Sequence, residues 1–476
     1  MGQEINEARF SRRDFAHYHQ RLSEETTLLG QWFAENRFKT CEPMAGIELE
    51  AWLVDRDFQP APKNAPFLQA LNSALVSPEL ATFNVEFNLD PQPLQGNALS
   101  FMTTELEKNW QQAREVANSL KTDLTMIGIL PTVENRHLIM ENLSAMNRYV
   151  ALNNEILRQR GGRPLKLDIH GKDILRAEHM DVMLESATTS FQIHLQLSPE
   201  QAVRAYNASL IISAPLVAIS ANSPYLFGKD LWAETRIPLF EQSVEVGGYK
   251  GGAQGPLRRV TFGSGYVRHS LMEVFQENLD HYPVLLPTTF DTPVEALEHL
   301  RLHNGTLWRW NRPLIGFENG EPLLRLEQRV VPAGPTVIDS FANAAFYYGM
   351  IQALIDMEIP PETLLGFAQA RDNFYHCAQD GLDAHILWLD EQKHQVQSFL
   401  LKNLIPLAYT GLDKLGISHS DASRYLGIIE SRVSNACNGT SWQRAFIAKH
   451  GDDMKSLLVA YMERQQTNAP VHEWDI

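Results

Sequence analysis

Cysteine is scarce in this sequence, and its scarcity excludes two classes of structure. Three cysteines occur among 476 residues, at Cys41, Cys377 and Cys437, and no two of them form a Cys-x-x-Cys pair. A cysteine-rich zinc site and a disulfide framework of closely spaced cysteines are therefore excluded. The first residues also lack a basic stretch followed by an apolar one, so we expect no secretory signal and a cytoplasmic protein.

Basic residues are outnumbered, and long apolar runs are absent. The chain has 41 Lys and Arg against 57 Asp and Glu, a net charge of −16. Nucleic acid is therefore not expected as a partner, because its phosphates need a basic surface. The longest apolar run, at about residues 208–219, is short for a bilayer and contains Pro215. It predicts a buried helix rather than a contact with a membrane.

Two common catalytic motifs are missing as well. The sequence contains no Gly-x-x-x-x-Gly-Lys-Ser/Thr phosphate loop and no Gly-x-Ser-x-Gly nucleophile motif. One glycine-rich stretch, residues 247–252, includes Lys250 and is followed by Arg258 and Arg259. Its backbone amides and cations are candidates for contact with a phosphate or a carboxylate. A mobile surface loop is an equally good interpretation of this stretch.

What the sequence does contain is four short stretches with one apolar and one strongly polar face. They are residues 46–51, 85–89, 191–196 and 324–329. Side chains alternate between the two faces of a β-strand. The polar faces therefore carry, in chain order, Glu48 and Glu50, then Glu86 and Asn88, then Gln192 and His194, and finally Arg325, Glu327 and Arg329. If the four strands share one sheet, these side chains form a single surface.

A surface of this kind predicts bound cations. For any single strand, a half-buried sheet with its polar face in water is an equally good interpretation. The four faces together contain no lysine, however, whereas solvated faces usually mix in Lys, Thr and Ser. Crowded carboxylates repel one another unless a cation lies between them, and carboxylate and imidazole ligands suit Mg²⁺ or Mn²⁺. The set therefore predicts divalent cations together with a polyphosphate.

The remaining patterns predict a mixed α+β protein. Helical periodicity is found at about residues 11–38, with Ser11 as N-cap, and at about 100–121, 141–160 and 199–221. Residues 124–130 predict a short strand, and Asn319-Gly320 predicts a tight hairpin turn. After Pro335 the chain is expected to be almost entirely helical to about residue 463. Helices and strands do not alternate regularly, so a doubly wound sheet is not expected.

The ordered motifs resemble the glutamate–cysteine ligase type 2 family of carboxylate–amine ligases. The resemblance rests on residues 46–50, the Glu79 and Glu86 pair, residues 192–194, residues 221–224 with Arg236, residues 326–329 with Gly334-Pro335, and residues 439–443 and 470–474. It covers most of the chain. It implies the fold of glutamine synthetase catalytic domains, a curved and mostly antiparallel sheet with helices packed outside. Residues 1–340 would be the ligase core, and residues 341–476 a helical part packed on it.

The resemblance also implies roles for individual residues. ATP would be a co-substrate and Mg²⁺ or Mn²⁺ the cofactor. Glu50, Glu79 and Glu86 would hold one ion, and Glu48, His194 and Glu327 would hold a second ion nearer the transferring phosphate. Arg329 would stabilise charge on the γ-phosphoryl group, and Arg236, with Arg325, would bind a substrate carboxylate. Gln192, Asn88 and Arg148 are further candidates for substrate contact.

The implied function is a ligase that activates the γ-carboxylate of L-glutamate as an acyl phosphate and joins it to an amine, by default cysteine. Its partners would be these small molecules, and a homodimer is compatible with the sequence. One alternative is a ligase of the same fold that uses a different amine or acid. Others are a non-catalytic protein that binds ATP or an amino acid, and a metal-dependent hydrolase. The complete set of six candidate metal ligands argues against the non-catalytic alternative.

Overall fold

The computed structural model describes residues 4–246 and 258–476. Its strands, in chain order, are β1 (Met44–Val54), β2 (Val76–Pro78), β3 (Asn84–Asn88), β4 (Gln92–Pro93), β5 (Asp123–Thr125), β6 (Leu165–His170), β7 (Ile174–His179), β8 (Phe191–Leu197), β9 (Tyr225–Leu226), β10 (Lys229–Asp230), β11 (Asn311–Glu318), β12 (Glu321–Gln328), β13 (His385–Leu387) and β14 (Lys393–Gln395).

The helices outnumber the strands. In chain order they are α1 (Arg12–Ala34), α2 (Asn64–Leu71), α3 (Ala98–Ser119), α4 (Asn147–Gln159), α5 (Pro199–Ser220), α6 (Arg236–Ser243), α7 (Met272–His281), α8 (Glu298–Gly305), α9 (Val337–Ile355), α10 (Pro361–Leu364), α11 (Phe367–Asp380), α12 (Val396–Phe399), α13 (Ile405–Lys414), α14 (His419–Ser434), α15 (Gly439–His450) and α16 (Met454–Gln465). A π-helical turn, Leu400–Leu404, joins α12 to α13.

The main sheet is curved and antiparallel, and it contains all four of the strands with a polar face. Its strand order is β11-β12-β8-β1-β3-β2, with β4 and β5 paired to the two ends of β1. Neighbours far apart in sequence, such as β8 and β12, pair directly in this order. The prediction that the four strands share one sheet is confirmed, and so is the α+β fold class.

The β11–β12 hairpin forms where the sequence predicts it. Asn319 and Gly320 have φ angles of 52° and 84°, and positive φ at both central positions defines a type I′ turn. Asparagine and glycine tolerate this conformation better than other residues do. The two-residue turn fixes the register of the strands, so that Glu318 lies opposite Glu321 and Arg312 lies opposite Glu327.

One face of the sheet is covered by α5 and α9. On this face the Gln328 side chain donates to Ser213 Oγ of α5 at 3.2 Å, and the Tyr348 hydroxyl of α9 donates to the carbonyl of His194 at 3.1 Å. Helix α5 is long and apolar enough to cross a membrane by length and composition alone. However, 89% of its most apolar window is buried inside the protein, as expected for a core helix. The prediction of a buried helix at this place is confirmed.

The opposite, polar face of the sheet lies beneath α4, α7 and α8. Helix α1 packs against α7 and α8 from outside, and it begins at a capping box in which Ser11 and Asp14 exchange hydrogen bonds. A buried contact anchors α8 to α1, because His299 Nδ1 lies 2.7 Å from a carboxylate oxygen of Glu25. These helices fix the walls of the space above the polar face.

Two details differ from the sequence-based expectations. Of the predicted strand at residues 124–130, only residues 124 and 125 lie in a strand, β5 (Asp123–Thr125), because the chain leaves the sheet edge after Thr125. The region after Pro335 is mainly helical, as predicted, but also contains the short hairpin formed by β13 and β14. One cluster of buried apolar side chains includes residues from both sides of position 340. The division of the chain at residue 340 stays a prediction.

Replacing Gly320 with alanine is expected to destabilise the protein. A β-carbon at a φ of 84° is strained, so the free energy of unfolding should fall by about 1–2 kcal/mol. Gly427, in the middle of α14, is a matched control, because a β-carbon there would meet no atom within 4 Å. Gly427→Ala should raise the free energy of unfolding by up to about 1 kcal/mol. Urea unfolding followed by circular dichroism measures the free energy of unfolding of both variants. Equal changes of the same sign would contradict the assigned type I′ turn at Gly320.

Candidate active site

A cavity lies above the polar face of the sheet, between the strands and helices α4, α7 and α8. Its charged and amide-bearing wall is formed by Glu48, Glu50, Glu79, Glu86, Arg148, Glu185, Gln192, Arg301, Asn304, Arg312, Arg325, Glu327 and Arg329. Its less polar wall contains Leu80, Tyr149, Leu152, Phe275, Leu286, Leu300, Leu302, Trp308, Leu314 and Ile315. Charged groups of both signs thus face an apolar surface across one space.

The pairing of the strands brings the polar side chains together across the sheet. Glu50 of β1 lies opposite Glu86 of β3. On the other side of β1, Glu48 lies opposite Gln192 of β8. His194 of β8 then lies opposite Glu327 of β12. The pleat points all of these side chains to the same face, so that residues from four strands form a single floor.

Three of these residues form a compact cluster of possible metal ligands. A ligand atom from each of Glu48, His194 and Glu327 lies within 4.8 Å of the other two, and all three side chains are buried. His194 Nε2 lies 3.3 Å from a carboxylate oxygen of Glu48. His194 Nδ1 is also buried and has no hydrogen-bond partner within the described residues. This is one of the two ligand triads that the sequence resemblance implies.

Glu327 is held between two arginines. Arg312 donates two hydrogen bonds to its carboxylate, from Nε at 3.1 Å and from Nη2 at 3.0 Å, and Arg329 donates a third at 2.7 Å. Burial alone would raise the pKa of Glu327, but the two guanidiniums outweigh burial and lower it. Arg329 also donates to Gln192 Oε1 at 2.6 Å. The guanidinium of Arg329 is therefore fixed at the centre of the floor.

The second predicted triad, Glu50, Glu79 and Glu86, lines the same cavity without forming an equally tight cluster within the described residues. Glu50 accepts hydrogen bonds from the Ser190 amide at 2.7 Å and from Gln192 Nε2 at 3.0 Å. Burial, and then the charge of Glu48, raise the pKa of Glu86 to about 7. Burial, and then the charge of Glu86, raise the pKa of Glu79 well above its usual value.

This donor set fits divalent cations. The cluster of Glu48, His194 and Glu327 offers carboxylate oxygens and an imidazole nitrogen, the ligand types that Mn²⁺ and Mg²⁺ accept. The raised pKa values of Glu79 and Glu86 show that their carboxylates lack enough countercharge from the protein. A cation beside them would supply that countercharge. The same residues would place positive charge next to a bound polyphosphate.

The sequence matches a known protein family. A family model described as glutamate-cysteine ligase family 2 (GCS2) matches residues 44–466, which is most of the chain. The chain belongs to this family. The resemblance read from the sequence is therefore confirmed, and the protein is an ATP-dependent ligase that forms carbon–nitrogen bonds, as expected for a member.

Solved structures show the same fold. A glutamate–cysteine ligase (gshA) from Francisella tularensis, in complex with AMP, matches with a TM-score of 0.61 and 13% identity, covering 91% of this chain and 90% of that one. A bifunctional glutathione synthetase from Pasteurella multocida matches with a TM-score of 0.50 and 11% identity, covering 94% of this chain and 55% of that one. Identities this low establish the shared fold alone. No curated protein matches the sequence.

Several candidate residues from the sequence analysis do not line the cavity. Asn88 donates to Glu86 Oε1 at 3.0 Å and so orients a cavity residue. Arg258 is exposed and lies 3.3 Å from Glu241 Oε2, and the buried Arg259 donates to the Thr306 carbonyl at 3.2 Å. Neither Arg258 nor Arg259 is among the described residues that line the cavity. Lys250 lies outside the described residues.

Arg236 does not lie where a residue that binds a substrate carboxylate was expected. Its buried guanidinium donates to the carbonyls of Arg329 at 2.9 Å and Val330 at 2.5 Å, and its Nε lies 3.3 Å from a carboxylate oxygen of Glu234. It also stacks over the Trp310 ring at 5.4 Å. These contacts direct Arg236 to the backbone behind Arg329 rather than to a substrate carboxylate in the cavity. Arg148, Gln192 and Arg325 do line the cavity.

Four charged or amide-bearing cavity residues were not identified from the sequence: Glu185, Arg301, Asn304 and Arg312. Arg312 could have been found, since the predicted turn at Asn319-Gly320 fixes the register that sets Arg312 opposite Glu327. Glu185 gave no comparable signal, because it lies in the short 3₁₀ helix Glu185–Ala187 rather than in a strand with alternating faces. Its position in the cavity depends on tertiary packing.

Glu327→Gln is expected to weaken cation binding and abolish ATP turnover without unfolding the protein. The substitution removes a charged ligand from the cluster of Glu48, His194 and Glu327, so we expect Mn²⁺ affinity to fall by at least about 10-fold. Electron paramagnetic resonance of free Mn²⁺ measures the affinity, and circular dichroism checks the fold. Exposed Glu321, on the same strand, gives the control Glu321→Gln, which should change neither the Mn²⁺ affinity nor the ATP turnover. Near-normal turnover by Glu327→Gln would refute the proposed ligand cluster.

Glu86→Gln is expected to stabilise the metal-free protein at pH 8 but not at pH 5. The pKa of Glu86 is about 7 in the folded protein and 4.5 as a free side chain, so its ionisation costs folded-state stability as pH rises between these values. Removing the charge should restore up to roughly 3 kcal/mol above pH 7. Thermal unfolding in chelator measures the effect, with exposed Glu42→Gln as control. A lower melting temperature of Glu86→Gln at pH 8 would contradict the assigned charge state.

Proposed function

We propose that this ligase activates the γ-carboxylate of L-glutamate with ATP, as an acyl phosphate, and joins it to an amine, with cysteine as the default acceptor. Support comes from the family of the chain and from the composition of the cavity floor. The observation that carries the proposal is the position of Arg329 beside the cluster of Glu48, His194 and Glu327. Divalent cations bound there would neutralise phosphate charge during transfer.

The arginines of the floor suit phosphoryl transfer. This reaction needs positioning and countercharge more than covalent help from the protein. Arg329 is fixed by Glu327 and Gln192, and the charges of Glu327 and Glu50 raise its pKa although burial opposes them, so it stays protonated. Arg325 and Arg312 line the same side of the cavity. A transferring phosphoryl group would therefore meet preorganised cations instead of mobile water.

The apolar wall suits an intermediate that water destroys. An acyl phosphate is lost if water reaches it before the amine does. Phe275 of α7, Leu300 and Leu302 of α8, and Trp308 form apolar surface opposite the charged floor. Their side chains would exclude water from the reacting groups once substrates fill the cavity. We further propose that the reaction takes place in the cytoplasm, where the three free cysteines would stay reduced.

Product analysis tests the proposed reaction. Purified protein with Mg-ATP, L-glutamate and a pool of amines that includes cysteine should give one new γ-glutamyl adduct and an equal amount of ADP. Mass spectrometry of the adduct identifies the acceptor. The Glu327→Gln variant under the same conditions should give neither product, because it lacks a residue of the cluster that faces the phosphates.

Other outcomes separate the parts of this proposal. ADP without an adduct would show that the carboxylate is activated while the amine is missing from the pool. An adduct of a different acid would retain the ligase chemistry and replace glutamate as the donor. An absence of ADP with every acid and amine tested, in protein that binds Mn²⁺, would contradict the proposal.

A further inference from the structure

Glu185 is a cavity carboxylate to which the resemblance gives no role. Six glutamates line the cavity, and five of them belong to the two predicted ligand triads. Glu185 is the sixth. Within the described residues its carboxylate makes no hydrogen bond and no ion pair, although it faces the same space as Glu50 and Arg329. A carboxyl group without a protein partner in an active site is free to bind substrate.

The backbone holds Glu185 rigidly. The Glu185 amide donates to the Val182 carbonyl at 3.0 Å, and the Glu185 carbonyl accepts from the Thr188 hydroxyl at 2.7 Å. The Val182 amide in turn donates to Asn153 Oδ1 of α4 at 3.1 Å, which joins this segment to the helix above the cavity. The carboxylate of Glu185 is thus presented to the cavity from a fixed position.

Arg148 carries the opposite charge and lies on α4, the helix whose Asn153 contacts the Glu185 segment. Its guanidinium lines the cavity and stacks over the Tyr149 ring at 5.2 Å, and within the described residues it forms no ion pair. The charges of Arg148 and Glu185 act on each other across the cavity without direct contact. A carboxyl group and a guanidinium that line one cavity without pairing with each other can bind the ammonium and the carboxylate group of one amino acid.

We propose that Glu185 binds the ammonium group of the acceptor and takes its proton, while Arg148 holds the carboxylate of the acceptor. This inference rests on the proposed ligase function. It makes the acceptor an α-amino acid rather than a simple amine. It also makes Glu185 a catalytic residue, since its carboxylate would touch the reacting nitrogen.

The acceptor enters as an ammonium ion and gives one proton to the Glu185 carboxylate, which frees the lone pair of nitrogen. That lone pair forms a bond to the carbonyl carbon of the acyl phosphate, and the bond from this carbon to the phosphate oxygen breaks. Phosphate leaves with the bonding electrons and takes the second proton from nitrogen, which completes the amide. Glu185 then loses its proton to water before the next cycle.

The charge environment of Glu185 supports this role. Burial, and then the charge of Glu50, raise the pKa of Glu185 to about 8, while Arg329 and Arg148 act to lower it. A carboxylate with a raised pKa is a stronger base than an ordinary one, and a base works best when its pKa lies near the working pH. Glu185 also lines the cavity that the substrates would enter.

Three acceptors distinguish proton transfer from simple binding. Cysteine carries both an ammonium and a carboxylate, cysteamine lacks the carboxylate, and hydroxylamine is mostly unprotonated at neutral pH and needs no base. Each is given at pH 8, near the pKa of Glu185, with Mg-ATP and L-glutamate to the wild type, Glu185→Gln, Glu185→Asp and Arg148→Gln. Exposed Glu178 of β7 provides the control Glu178→Gln. Adduct and ADP are measured together with the KM for glutamate.

We expect Glu185→Gln to lower kcat/KM for cysteine by about 100-fold or more, with a loss of less than about 10-fold for hydroxylamine. Glu185→Asp should recover part of the activity with cysteine. Arg148→Gln should raise the KM for cysteine by about 10-fold or more and leave the KM for cysteamine unchanged. Glu178→Gln should match the wild type, and the KM for glutamate should change little in every variant.

Several results would overturn the inference. If Glu185→Gln lowered kcat/KM equally for cysteine and for hydroxylamine, Glu185 would not be the proton acceptor. A rise in the KM for glutamate instead of that for cysteine would place this ammonium and carboxylate site on the donor. Adducts of the wild type with amines but with no α-amino acid would refute the acceptor class. An inactive wild type with all donors and acceptors would instead refute the proposed function itself.

Discussion

The electrostatic balance on one face of the curved sheet is the constraint on which the rest of the site depends. Carboxylates from β1, β3 and β12 share this face, and their mutual repulsion must be offset. At β12 the protein supplies the offset itself, through Arg312 and Arg329 on Glu327. At Glu79 and Glu86 it does not, and burial together with neighbouring carboxylates raises the pKa of both side chains. The charge imbalance lies where bound cations would be needed.

The same division explains why the cavity has two kinds of wall. The strands supply charge in fixed register, because backbone pairing sets which side chains are neighbours. Helices α7 and α8 supply apolar surface, and their own anchoring to α1 lies outside the cavity. Chemistry and exclusion of water are thus assigned to different secondary structure elements.

Much of the floor could be predicted from the sequence, because strand alternation is a local signal. It placed Glu48, Glu50 and Glu327 on one face without any knowledge of the strand order. Arg236 could not be placed in the same way, since its direction depends on the buried Glu234 and on backbone carbonyls far away in the sequence. Residues that act through long-range packing leave no periodic trace in a sequence.

The position of Arg236 has a consequence for natural variation. Because the Arg236 guanidinium donates to the carbonyls of Arg329 and Val330, it helps to set where Arg329 leaves the sheet. Inherited or selected loss of activity can therefore arise at a position that no substrate reaches. A screen restricted to the cavity wall would overlook it. Substitutions that reduce activity are therefore expected both in residues that line the cavity and in the residues packed directly behind them.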